Sequence, residues 1–153
     1  QGDWSSDVCS SDLEDIHLSP NASYFITAYS NTAEPEVMAL VDSKGKKLLE
    51  LGSAKGSAFK NTMIARSELV RVPSEDGKYA LPVRILWPVG YDKNKKYPLL
   101  INIYGGPNAG TVYDGWDFNR MQQWWATEGI IQVSMDHRGS GHFGKTEIGR
   151  AHV

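Results

Sequence analysis

Two apolar runs separated by a helical pattern constrain this chain more than anything else in it. YPLLINIY (97–104) is almost wholly apolar, as expected of a strand covered on both faces. FNRMQQWWATEG (118–129) reads as a helix, with Met121, Trp124 and Trp125 on one face, Asp117 as N-cap and Gly129 as the stop. IIQVSMD (130–136) is the next strand. Strand, loop, helix, strand is a βαβ unit, which implies a parallel sheet with a right-handed crossover. Ligands of such sheets sit off the carboxyl ends of the strands. The loops leaving those ends here are Tyr104 to Gly115 and His137 to Gly144, both rich in glycine.

The earlier part of the chain has a different texture. After the turn signal Ser19-Pro20-Asn21, a β-rich run spans Tyr24 to Tyr29. VMALVD (37–42) and KLLEL (47–51) flank Ser43-Lys44-Gly45, which reads as a hairpin with glycine where φ must be positive. Three short antiparallel strands at this spacing suit a propeller blade or a sandwich. GSAKGSAFKNTMIA (52–65) reads as a linker. SELVRVPS (67–74) and LPVRILWPV (81–89) then read as strands around a Glu75-Asp76-Gly77 turn.

Composition narrows the function classes. Charged residues make up 22% of the 153 residues and the net charge is −2, which is not the basic footprint of a nucleic-acid binder. No apolar run reaches the roughly 20 residues that span a bilayer. The two ends look foreign. Residues 2–13, GDWSSDVCSSDL, back-translate to an adapter used in sequencing libraries, and EIGRAHV (147–153) to the complementary adapter end. On this reading residues 1–13 and 147–153 are excluded from the fold. Cys9, the single cysteine, falls in the first of them, so cysteine usage says nothing of redox compartment.

Several patterns compete for the chemistry. Gly139, Gly141 and Gly144 form a G-x-G-x-x-G, the dinucleotide fingerprint. Against it, Asp136, His137 and Arg138 separate the first glycine from the strand end, and the simpler reading is a tight loop with Asp136 paired to Arg138. His142 and His137 have no acid partner in the sequence and receive no role. Glu34 with Glu36, and Glu75 with Asp76, read as solvated turn charges, and no metal-ligand spacing is present. Tyr104 is different. A phosphate loop would run its glycines straight into a helix, whereas Tyr104-Gly105-Gly106-Pro107 leads into further loop. A simple turn needs the glycines but not the phenol. A phenol with a pKa of about 10 is a neutral donor at pH 7, and at the end of a rigid strand it can serve an oxyanion hole.

KKYPLLINIYGGPNAGTVYDGW (95–116) followed by GIIQVSMDHRGSGHFG (129–144) resembles the prolyl oligopeptidase family of serine peptidases, in its dipeptidyl peptidase IV branch of bacterial type. LSPNASYFITAYSN and VDSKGKKLLEL are similar to the last part of that family's β-propeller. The resemblance covers about Glu14 to Lys145. It implies a mixed fold, in which residues 14–65 are the last propeller blade and linker, and residues 66–146 the start of an α/β-hydrolase domain. It implies peptide substrates cleaved through an acyl-enzyme on serine, commonly after proline, with no cofactor and no metal. It also implies a periplasmic or secreted setting and leaves a homodimeric parent open. Tyr104 falls on the family's oxyanion tyrosine, and Gly105 and Gly106 would let a substrate backbone come close.

The family's nucleophile elbow, G-x-S-x-G, does not occur here, nor do the acid and base that follow it. The chain on its own is therefore expected to be inactive. Two other readings remain: a binding module that keeps the fold without the catalytic residues, and a nucleotide-dependent oxidoreductase using Gly139, Gly141 and Gly144. With only the opening strands of a sheet present, uncovered apolar edges are also expected to promote aggregation.

Overall fold

The computed structural model describes residues 13–57 and 59–144, which fall into two compact units. The first runs up to Thr62 and includes Asp114–Asp117; the second comprises Met63–Tyr113 and the chain from Phe118. Apart from Leu13, the two adapter-like ends lie outside the described residues.

The first unit is an antiparallel sheet of four strands in sequence order: β1 (Leu13–Leu18), β2 (Tyr24–Asn31), β3 (Glu34–Asp42) and β4 (Lys47–Ser53). Its strand β3 alternates strictly, burying Pro35, Val37, Ala39 and Val41 while Glu34, Glu36 and Met38 stay exposed. That period of two is the signature of a strand with one covered face. Short polar side chains shape both turns. Asn31 Oδ1 accepts from the N–H groups of Ala33 (2.8 Å) and Glu34 (2.9 Å). Asp42 Oδ1 accepts from Lys44 and Lys46, each at 2.9 Å. Gly45 has φ +83°, as the hairpin demands.

The sheet has one strand more than the sequence suggests. Asp15 to Leu18 of β1 are all exposed, so no burial alternation marks the segment, and only its pairing with β2 makes it a strand. Residues 52–65 are also less of a linker than expected. Gly52 and Ser53 complete β4, Phe59–Asn61 form one 3-10 turn, and buried Ala65 donates its N–H to Gln123 Oε1 (2.8 Å).

The second unit is a mixed sheet in the order β5-β6-β8-β7, from β5 (Ser67–Pro73), β6 (Ala80–Leu86), β7 (Leu99–Asn102) and β8 (Ile131–Met135). Strands β5, β6 and β8 pair antiparallel, and β7 and β8 pair parallel with Leu100 opposite Gln132. The parallel pair is the one the βαβ pattern requires. Helix α1 (Arg120–Thr127) connects it, and Gly129 follows the helix with φ +81°.

Three expectations need correction here. The helix is capped by Asn119, not Asp117: Asn119 Oδ1 accepts from the N–H groups of Met121 (2.9 Å) and Gln122 (3.2 Å). Asparagine caps as well as aspartate, and this one stands next to the first turn. The helix turns Ala126 inward, with Trp125 half-buried, while Met121 and Trp124 are exposed. And β7 is not covered on both faces. It is an edge strand among the described residues, with Leu99 56% and Ile101 54% exposed. Among the described residues its apolar run is paired on one side only, with β8.

Candidate active site

The two glycine-rich loops leave the carboxyl ends of β7 and β8, which are adjacent and parallel, so both emerge on the same side of the sheet. They pack on one another. Asn108 N–H donates to the Gly139 carbonyl (2.9 Å), and a Cβ on Gly141 would lie 2.8 Å from Asn108 Oδ1. Tyr113 Oη–H donates to the Gly110 carbonyl, and its ring stands 6.0 Å from the His142 ring.

A buried carboxylate holds this arrangement. Asp136, the first residue after β8, is fully buried. Thr111 donates twice, N–H to Oδ2 and Oγ1–H to Oδ1, both at 2.7 Å. Val112 N–H donates to Oδ2 at 2.8 Å. His142 Nε2 lies 2.9 Å from the same oxygen; an ionised carboxylate only accepts, so the imidazole presents its N–H there. Burial is the largest single influence on this carboxyl and pushes its pKa up. The Thr111, Val112 and His142 donors together outweigh it and hold Asp136 below the ordinary carboxylate value.

This geometry overturns the simpler loop reading. Asp136 does not pair with Arg138; it faces the opposite loop. Arg138 instead reaches Asp76 in the β5–β6 turn (3.4 Å) and lies over the Tyr79 ring, which meets Phe143 edge-on at 5.1 Å. His142, unpartnered in the sequence, has Asp136. Nδ1 of His137 accepts from Gly139 N–H (3.0 Å), and its Nε2 is buried with no partner among the described residues.

Tyr104 stands two residues past β7 and is 58% exposed. Its hydroxyl makes no hydrogen bond among the described residues. The two glycines behind it differ. Around Gly105 there is open space, whereas a Cβ on Gly106 would come 2.6 Å from Tyr104 Cε1 and 3.2 Å from Oη. The phenol ring itself occupies the space that glycine leaves at 106. In the G-x-G-x-x-G loop, Asn108 N–H bonds the Gly139 carbonyl and Asn108 Oδ1 stands where a Cβ of Gly141 would lie, while Gly144 has open space around it. Among the described residues no group of three or more acidic, histidine or cysteine side chains is placed to hold a metal ion, and no helix is long and apolar enough to cross a membrane.

Known proteins share both the sequence and the fold. The chain is 28% identical, over 93% of its length, to "Probable dipeptidyl-aminopeptidase B" of Ajellomyces dermatitidis. It is 32% identical, over 64% of its length, to prolyl endopeptidase FAP of Bos taurus. The crystal structure of Porphyromonas gingivalis dipeptidyl peptidase 4 superposes on 87% of the chain with a TM-score of 0.74 at 29% identity. No family model matches. The chain spans 18% and 13% of the two relatives' lengths and 19% of the solved chain. The chain belongs to the prolyl oligopeptidase family, in its dipeptidyl peptidase IV group, and its two sheets match one part of that structure.

Proposed function

We propose that the chain is the stretch of a proline-directed serine exopeptidase that joins the end of a β-propeller to the start of the α/β-hydrolase domain. In this reading residues 14–65 are the last blade and linker, and residues 66–146 open the peptidase domain. The substrate is a peptide, and the reaction runs through an acyl-enzyme on a serine that lies beyond this stretch. Tyr104 donates its hydroxyl hydrogen to the oxyanion that forms on the scissile carbonyl.

The observation that carries the reading is the placement of Tyr104. It sits at the carboxyl end of a parallel strand, with Gly106 against its ring and its hydroxyl free of partners among the described residues. A donor already committed elsewhere would have to break a bond to stabilise developing charge; this one does not.

By the same reading the chain alone is inactive, since it supplies one oxyanion donor and no nucleophile. Sequencing the source locus across Thr146 tests the framework: the reading frame should continue into G-x-S-x-G, then Asp and His. In the full-length protein, Tyr104→Phe should lower kcat on a dipeptidyl-proline substrate by about 10²–10³-fold, the usual cost of one oxyanion donor. A frame in which the elbow serine is replaced supports a binding protein instead.

A further inference from the structure

We propose that Asp136 is a positioning residue for Tyr104, acting through the loop between them. The proposal rests on the oxyanion reading of Tyr104 and adds the residue that holds the phenol in place. Asp136 is wholly buried, and among the described residues its carboxylate bonds Thr111, Val112 and His142. Both its oxygens are spent on the loop that follows β7: three of its four bonds come from Thr111 and Val112. The fourth comes from His142, at the far end of the loop that follows β8.

The path from carboxylate to phenol is short and continuous. Thr111 and Val112 end the segment that begins at Gly105. Midway, Asn108 N–H is tied to the Gly139 carbonyl, so the segment is anchored at its centre as well. At its start, the Tyr104 ring rests where a side chain at Gly106 would begin, a Cβ there lying 2.6 Å from Tyr104 Cε1. A shift of this segment therefore moves the wall on which the phenol rests. A purely structural carboxylate could sit anywhere in the core; this one is aimed at the loop that follows Tyr104, the candidate oxyanion donor.

The Asp136→Asn carboxamide keeps the shape but turns an NH2 group toward groups that are themselves donors. The test is a double-mutant cycle in the full-length protein, with Asp136→Asn and Tyr104→Phe singly and together, followed by kcat and KM on a dipeptidyl-proline substrate. We expect Asp136→Asn alone to lower kcat by about 10- to 100-fold with KM little changed, since small displacements of a catalytic group cost about that much. In the Tyr104→Phe background it should change kcat by less than about twofold, because the donor it positions is already gone. Multiplicative effects would overturn the proposal, since they show Asp136 acting independently of Tyr104. If Tyr104→Phe alone leaves kcat unchanged, the oxyanion reading itself fails. Should Asp136→Asn not fold, Thr111→Val removes only the Oγ1–H donor and carries the same cycle. A Thr111→Val loss that persists undiminished without the Tyr104 hydroxyl overturns the proposal equally.

Discussion

The two sheets bury different things. In the first, each strand pairs with its sequence neighbour, and β3 buries an alternating set of Pro35, Val37, Ala39 and Val41. Its polar turn groups are satisfied within a few residues, by Asn31 and Asp42. In the second, the strand order is crossed, β7 is exposed, and a fully buried group of the unit is the carboxylate of Asp136. Its partners lie 24 and 25 residues back along the chain. One sheet is held by local register and apolar alternation. The other stakes its loop geometry on a single charged side chain, where all-or-none behaviour is expected.

The sharpest way to break that contrast is Asp136→Ala. It orphans two backbone donors, a hydroxyl and an imidazole, and should cost the second unit several kcal/mol, at about 1–3 kcal/mol for each buried group left unsatisfied. Hydrogen exchange should show lost protection at Thr111 to Tyr113 with β2 and β3 unchanged; equal loss in both sheets would contradict the division. Next in size is the open edge. Ile101→Lys places a charge on β7, where Ile101 is 54% exposed, and should raise the soluble concentration of the chain several-fold by light scattering. No such gain is expected from Met38→Lys on the strand that is paired on both sides.

Acid sharpens the comparison more gently. Because the folded-state pKa of Asp136 is depressed, its contribution is present above the ordinary carboxylate value near 3.8 and is lost as pH falls through the lower folded value. The stability gap between the native chain and Asp136→Asn, measured by denaturant unfolding, should be constant near neutrality and close below about pH 4. A gap that closes instead between pH 5 and 7 would contradict this assignment. The smallest effect belongs to the first sheet. Gly45→Ala, at φ +83°, should cost about 1 kcal/mol in urea unfolding and leave the Asp136 loop untouched.

Legibility in the sequence follows the same division. The hairpin at Gly45 and the β7–α1–β8 unit could be read because their signals are local: a turn tripeptide, an apolar run, a helical period. Strand β1 was missed although Asp15, Ile16, His17 and Leu18 alternate polar with apolar, because the run is short, wholly exposed and becomes a strand only through β2. The cap moved from Asp117 to Asn119 because both residues satisfy the same preference two positions apart. Asp136 was visible as the acid after a strand, but its partners are a threonine and two main-chain N–H groups in another loop. No spacing rule reports such a set. The pairing with His142, six residues on, spans a glycine-rich loop to which neither helical nor strand periodicity applies. An acid standing immediately between an apolar strand and a glycine-rich loop was the one signal that could have drawn attention to it.

The crossed order of the second sheet also fixes a timetable for synthesis. On a ribosome, β1 to β4 can pair as each hairpin emerges, because every partner is the preceding strand. Strand β6 finishes at Leu86 and must wait for β8, which begins at Ile131, before its second edge is covered. Throughout that wait β7 has no partner at all, and Tyr104 has no formed loop behind it. The nascent second sheet therefore passes through an interval in which β7 is unpaired and open to misassociation, while the strands of the first have already met their partners.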